Sequence, residues 1–194
     1  MIGRRRLVQV AVIVLLLAAL VWGASQVLER LVRPTPASPV SSVVPAAPTA
    51  HITATLFYGA DDGQALVPVR RDVPLANGVV AQGLQILLAE LQPPPAPYVS
   101  VVPPGTTLRA FYVTERGDAF VDLSGEVARA HPGGSFAELL TVYAIVDVVT
   151  ANLTGVQRVQ LLVDGKEADT IAGHVDVRRP LRRDSTLIRE EATR

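Results

Sequence analysis

Sixteen consecutive residues from Leu7 to Trp22, broken only by Gln9, follow Arg4-Arg5-Arg6 and are too apolar to join a small soluble core across the polar stretch that comes next. The run is intermediate between a signal-peptide core and a short spanning helix, and the arginines predict a cytoplasmic N-terminus. We read residues 1–28 as an uncleaved transmembrane anchor, with cleavage after Gly23-Ala24-Ser25 as the alternative. Residues 29–50 contain PTPASPVSSVVPAAP, from Pro34 to Pro48, which favours extended backbone and buries too little to fold. At about 3 Å per residue such a spacer holds a domain up to roughly 45 Å from its anchor. Folding is thereby confined to residues 51–184, with 185–194 as a polar tail.

No cysteine is present, so disulfides, thiolate metal sites and a lipidated cysteine are excluded. Residues 51–177 carry seven basic and fourteen acidic side chains, a net charge of −7 that disfavours phosphate backbones, so no nucleic-acid partner is expected.

Alternation marks the first strand, His51 to Gly59, with Ile52, Ala54, Leu56 and Tyr58 on one face. ALVPVRRDVP follows the turn at Asp61-Asp62-Gly63, and Pro68 suggests an edge or a bulge. Asn77 is the expected N-cap of a helix through Leu91, with Val80, Leu84, Leu87, Leu88 and Leu91 inward and Gln82, Gln85 and Ala89 outward. TLRAFYV and DAFVDLS form a hairpin around Glu115-Arg116-Gly117. Ser135 and Glu138 have capping-box spacing, so a second helix should run from Phe136 to about Ala151. RVQLLVD and ADTIAG should pair across Asp164-Gly165-Lys166. The order ββα-ββα-ββ predicts one α+β domain with two helices on a mixed β-sheet.

In the second helix, Glu138 and Asp147 lie nine residues apart, which at about 100° per residue puts them on opposite sides. The other positions are apolar or small around the whole circumference, as in a helix buried on most sides. Ala137, Ala144 and Ala151 recur every seven residues as a flat strip. Either the strip packs within the domain or, with Asp147, it meets a partner or a second copy. Asp147, if buried, needs a counterion, for which Arg109 and Arg158 are the candidates.

TLFYG followed by LVPVRRDVP, LQILLAELQPPP, VVPPGTTLRAFYV, GDAFVDLSGE, GSFAELL, VDGK and GHVDV occur in an order that resembles the GerMN domain of bacterial sporulation and spore-germination proteins, across roughly residues 52–183. The resemblance implies a non-enzymatic, membrane-tethered envelope module, present once here, with protein-binding or scaffold duties in sporulation, germination or envelope signalling. Partners would be other envelope proteins or a second copy, with peptidoglycan as the alternative ligand. At the one histidine that matches a family position, His174, it implies a structural turn role.

Catalysis finds little support in the residues. His51, His131 and His174 lack helical or strand ligand spacing for zinc, and Ser135 lacks the second glycine of a nucleophile elbow. Asp118 and Asp122 could act as paired carboxylates but read more simply as a solvated strand face. Asp61-Asp62-Gly63 offers too few oxygens for calcium. No catalytic, cofactor or metal residue is therefore assigned. Arg178, Arg179, Arg182 and Arg183 read as a solvated terminus or as a contact to anionic polymer, and Tyr58, Tyr98 and Tyr112 are the stacking candidates for a glycan.

Overall fold

The computed structural model describes residues 50–189, together with Gly3 alone. The expected anchor and linker fall outside the described residues.

A hairpin opens the fold, with β1 (His51–Gly59) and β2 (Leu66–Pro74) paired antiparallel without a slip from His51↔Pro74 to Gly59↔Leu66. Pro68 causes no bulge, because it lies opposite Phe57 in an unbroken register on a strand that, among the described residues, pairs along its length with β1 alone. Helix α1 (Val79–Glu90) follows, and then the hairpin β3 (Leu108–Val113) and β4 (Asp118–Leu123). Two helices come next, a single turn α2 (Glu126–Arg129) and the long α3 (Ser135–Asn152). They deliver the chain to β5 (Arg158–Val163), parallel to β4, and to the two-residue β6 (Lys166–Glu167).

The class is α+β, as expected, but among the described residues with three helices and two sheets, β1-β2 and β3-β4-β5-β6. The sheets stay separate because other groups occupy the free edge of β1. Backbone groups pointing away from β2 fall at every second residue. At Thr55 the amide side chain of Asn152 serves both, accepting from the N–H at 2.8 Å and donating to the carbonyl at 2.7 Å. At Phe57 the N–H donates to Glu90 Oε2 at 3.0 Å. Gly59 exchanges two bonds with Val99, at 2.8 and 3.0 Å. Little is left for a further strand to pair with.

Helix α3 is rich in β-branched residues, whose helix propensity is modest. Tertiary burial sustains it against β1 and α1, and Thr150 donates its hydroxyl to the carbonyl of Val146. Among the described residues it is the helix long and apolar enough to cross a membrane, yet it is the core helix of this domain. Glu138 and Asp147 are both fully buried, so the expectation of burial on most sides holds.

The inward face of α1 is rotated from the expected one. Gly83, Ile86, Leu87 and Glu90 are buried, while Val80 and Leu88 are exposed. The reason is Gly83: a Cβ there would lie 2.2 Å from Phe111 Cε1, so the ring of β3 packs on bare backbone and centres the contact there. Asn77 is not the cap either. Gly78 holds that position without a side-chain bond, and Gln82 reaches back instead to the Ala76 N–H and the Pro74 carbonyl.

Two further expectations fail at the C-terminal end. Ala168–Gly173 form no strand, because the N–H groups of Ile171 and Ala172 turn inward to Glu138. The chain also stays with the domain after Asp184. A 3-10 turn at Ser185–Leu187 leads Ile188 into a bridge with Leu66, and Arg189 donates its N–H to the Leu66 carbonyl at 2.8 Å.

Candidate functional site

A cleft of about 420 Å³ opens between the first turns of α3, the segment Val99–Pro104 and the loop Ala130–Pro132. Val99 is fixed by its bonds to Gly59, and a Cβ on Gly59 would fall 2.8 Å from the side chains of Val99 and Val101, so glycine lets the two segments close. The turn at Pro103-Pro104-Gly105 is locked by Thr106, whose hydroxyl donates to the Pro103 carbonyl at 2.7 Å. Phe136, 40 % exposed, and Val99, 41 % exposed, form the rim.

The polar atoms in the cleft are used internally. Gly133 N–H donates to His131 Nδ1 at 3.0 Å, which leaves the ring proton on Nε2 to be donated to Thr141 Oγ1 at 3.1 Å. Thr141 in turn donates to the Val101 carbonyl at 2.5 Å. A base that already carries its proton, beside a hydroxyl bound to a carbonyl, cannot activate a nucleophile in this arrangement. Ser135 opens α3 but caps nothing, since Gly134 occupies the N-cap without a side-chain bond. The cleft therefore offers apolar surface and shape.

Glu138 is not the second half of a capping box. Its buried carboxylate accepts from the N–H groups of Ile171, Ala172 and His174, each at 2.8 Å, with His174 Nδ1 at 3.2 Å. Burial pushes this carboxyl up, but the backbone donors, Val175 among them, outweigh it and leave it below the usual glutamate range. His174 thus takes the turn role its resemblance implied.

Asp147 is paired with neither Arg109 nor Arg158. Arg109 turns to Asp122 at 3.3 Å and Arg158 to Asp118 at 2.6 Å, which makes both aspartates ion-pair members rather than paired carboxylates. Gly165 N–H also donates to Asp122 at 2.8 Å. Asp147 Oδ1 accepts from the Asp184 N–H at 3.3 Å, and Oδ2 has no hydrogen-bond partner among the described residues. Burial pushes its carboxyl up to about 6, the Asp184 N–H and the Arg183 guanidinium work against that, and the Asp184 carboxylate adds to it. Arg183 itself lies 5.6 Å above the Phe57 ring.

Of the alanines in the seven-residue strip, Ala144 is fully buried, Ala137 half-buried beside the cleft and Ala151 exposed, so the three do not share one accessible surface. Tyr58 is buried, with its hydroxyl accepting from Arg71 at 3.1 Å, whereas Tyr112 is 60 % exposed. Among the described residues no group of three His, Asp or Glu side chains is placed to hold a metal. The cleft itself escaped sequence reasoning, although VVPPG and HPGG, the proline and glycine turns on its two sides, were its visible signal.

A family profile described as "Germane: Sporulation and spore germination" matches residues 55–169, more than half the chain. The chain belongs to this family. Its fold is similar to the tandem GerMN domains of the sporulation protein GerM from Bacillus subtilis, with TM-score 0.52 and 19 % identity over 70 % of this chain and 46 % of that one. It spans, in other words, about half of that tandem. The first GerMN domain of the same protein aligns with TM-score 0.49 and 19 % identity over 69 % of this chain and 96 % of the other. A candidate lipoprotein from Clostridium perfringens aligns with TM-score 0.49 and 21 % identity over 70 % and 90 %. No curated protein matches the sequence. For this GerMN domain, then, the α+β fold and the sporulation and germination family stand on the comparisons.

Proposed function

We propose that this GerMN domain is a non-enzymatic protein-binding module of the cell envelope, held outside the membrane by the N-terminal segment, in which an apolar segment of another envelope protein seats in the cleft beside α3. The observation that carries the reading is the internal consumption of the cleft's polar groups by His131, Thr141 and Val101, which leaves Phe136, Val99 and the prolines to contact a ligand. Such a surface suits aliphatic or aromatic anchors of a partner, whose burial contributes about 25 cal/mol per Å² of apolar area. The sporulation and germination family supports an envelope setting of that kind.

The test is a photo-crosslinking residue in place of Phe136 in the full-length chain, in its native cells, with the same residue at exposed Leu88 as control. One protein captured from position 136 alone, and lost on Val99→Asp with the circular dichroism unchanged, is the expected result. Equal capture from both positions, or capture indifferent to Val99→Asp, refutes the reading. Exposed Tyr112 favours one rival, a glycan ligand, for which retention on purified peptidoglycan that is lost on Tyr112→Ala would be the signature.

A further inference from the structure

Residues 181–189 cross the domain as a strap. Leu181 exchanges two backbone bonds with Val159 of β5, both at 2.8 Å. Arg183 then lies over the Phe57 ring of β1, and the Asp184 N–H reaches Asp147 on α3. Ile188 bridges Leu66 of β2, and Arg189 donates to the Asp62 carboxylate at 2.8 Å. The strap therefore touches both sheets and passes α3 on the way. No residue from Arg182 to Arg189 is buried, whereas Asp147 and Phe57 beneath them are fully buried. A segment held by a few backbone bonds and a solvated ion pair, with little apolar burial of its own, belongs to the part of a fold that opens first.

Closure of the strap disfavours the charge beneath it. Asp147 Oδ2 has no hydrogen-bond partner among the described residues, and the one bond to Oδ1 is long, at 3.3 Å. Closing the strap takes water from this carboxylate and returns a single weak bond, a far smaller loss for the neutral acid. We infer that Arg183–Arg189 is a proton-controlled strap, closed over α3 while Asp147 carries a proton and released when it ionises. Opening uncovers the Phe57 ring and removes the Arg189 donor from the Leu66 carbonyl at the start of β2. Burial raises Asp147 from 3.8 to about 6, so closure is complete below 3.8 and weakens as pH rises through about 6. Facing Asp147 are Arg183 and Asp184 on the strap, the first opposing the shift and the second adding to it, and Tyr143 one turn earlier on α3. From β1 comes the uncharged Phe57 ring, and α1 sends Glu90, also raised by burial, to the Phe57 N–H. The Arg189–Asp62 pair has the opposite sign. Asp62, held below its usual range by the Gln64 N–H and Arg189, gives up that contact only in acid, so the interval from pH 5 to pH 8 isolates Asp147.

The test is hydrogen exchange of the full-length chain, read residue by residue as protection factors, which divide out the intrinsic dependence on pH. Between pH 5 and pH 8, protection at the Asp184 and Arg189 amides should fall about tenfold relative to Val121 in β4, the ratio that pKa values of 3.8 and about 6 set. In Asp147→Asn that relative protection should be the same at pH 5 and pH 8, whereas a fall driven by Glu90 would persist. Strap amides that keep a constant ratio to Val121 in the parent overturn the inference, and so does an undiminished fall in Asp147→Asn. The parent comparison stands by itself, so it decides the matter even where the variant does not fold.

Discussion

Replacing Asp147 by asparagine should stabilise this domain in alkaline but not in acid solution. The carboxyl is buried within α3, one oxygen is unpaired among the described residues, and burial raises its pKa from 3.8 to about 6. The folded state then holds this proton more tightly than the unfolded state does. Stability from the protonated group is complete below pH 3.8 and is lost as pH rises through about 6. At 1.36 kcal/mol per pKa unit, that loss between pH 4 and pH 8 has a ceiling of about 2 kcal/mol. The nearby Arg183 guanidinium and incomplete desolvation bring the expectation down to about 1 kcal/mol. The Asp147→Asn amide keeps the acceptor for the Asp184 N–H and removes the buried charge, at the cost of two amide protons that need acceptors. The measurement is urea unfolding followed by circular dichroism at pH 4, 5, 6, 7 and 8 for both proteins. The difference between variant and parent should grow in favour of the variant across that range. Parallel profiles would show that Asp147 does not titrate in the folded state as its burial demands.

Three other outcomes follow from the packing. Glu138→Gln loses charge-assisted acceptance from the Ile171, Ala172 and His174 N–H groups, and should cost about 2–4 kcal/mol and speed hydrogen exchange at those amides. Because the Glu138 pKa is lowered, its contribution is present above 4.5 and is lost as pH falls through the folded value, so parent and variant should converge in acid. Gly83→Ala drives a methyl into Phe111 and Leu153 and should cost about 1–3 kcal/mol by thermal unfolding, an outcome that a neutral result would refute. Asn152→Leu strips both backbone partners from Thr55 and should cost about 2–4 kcal/mol, with accelerated exchange at the Thr55 amide as the local readout.

Near-neighbour pattern alone determined much of this protein. Alternation in β1, β3 and β4, the turn at Glu115–Gly117 and the all-round apolar character of α3 are properties of residues within a few positions of one another, and each was legible as such. The ordered GerMN-like motifs carried the family in the same way. What the pattern misassigned depends on groups far apart in the chain. Glu138 looks like a helix cap because Ser135 is three residues away, yet the N–H groups it serves are 33 to 36 residues on. Asp147 looked for an arginine on a strand and met the returning C-terminal segment 37 residues later. The face of α1 turned toward Phe111 because a missing Cβ at Gly83 permits an approach that hydrophobicity scales do not register. The separation into two sheets rests on an asparagine 97 residues from the strand edge it occupies. Local sequence sets backbone periodicity, through sterics and the alternation of polar and apolar side chains. Only the tertiary structure decides which buried polar group finds which partner, because desolvation makes every such group take whatever donor or acceptor the packing brings within about 3 Å.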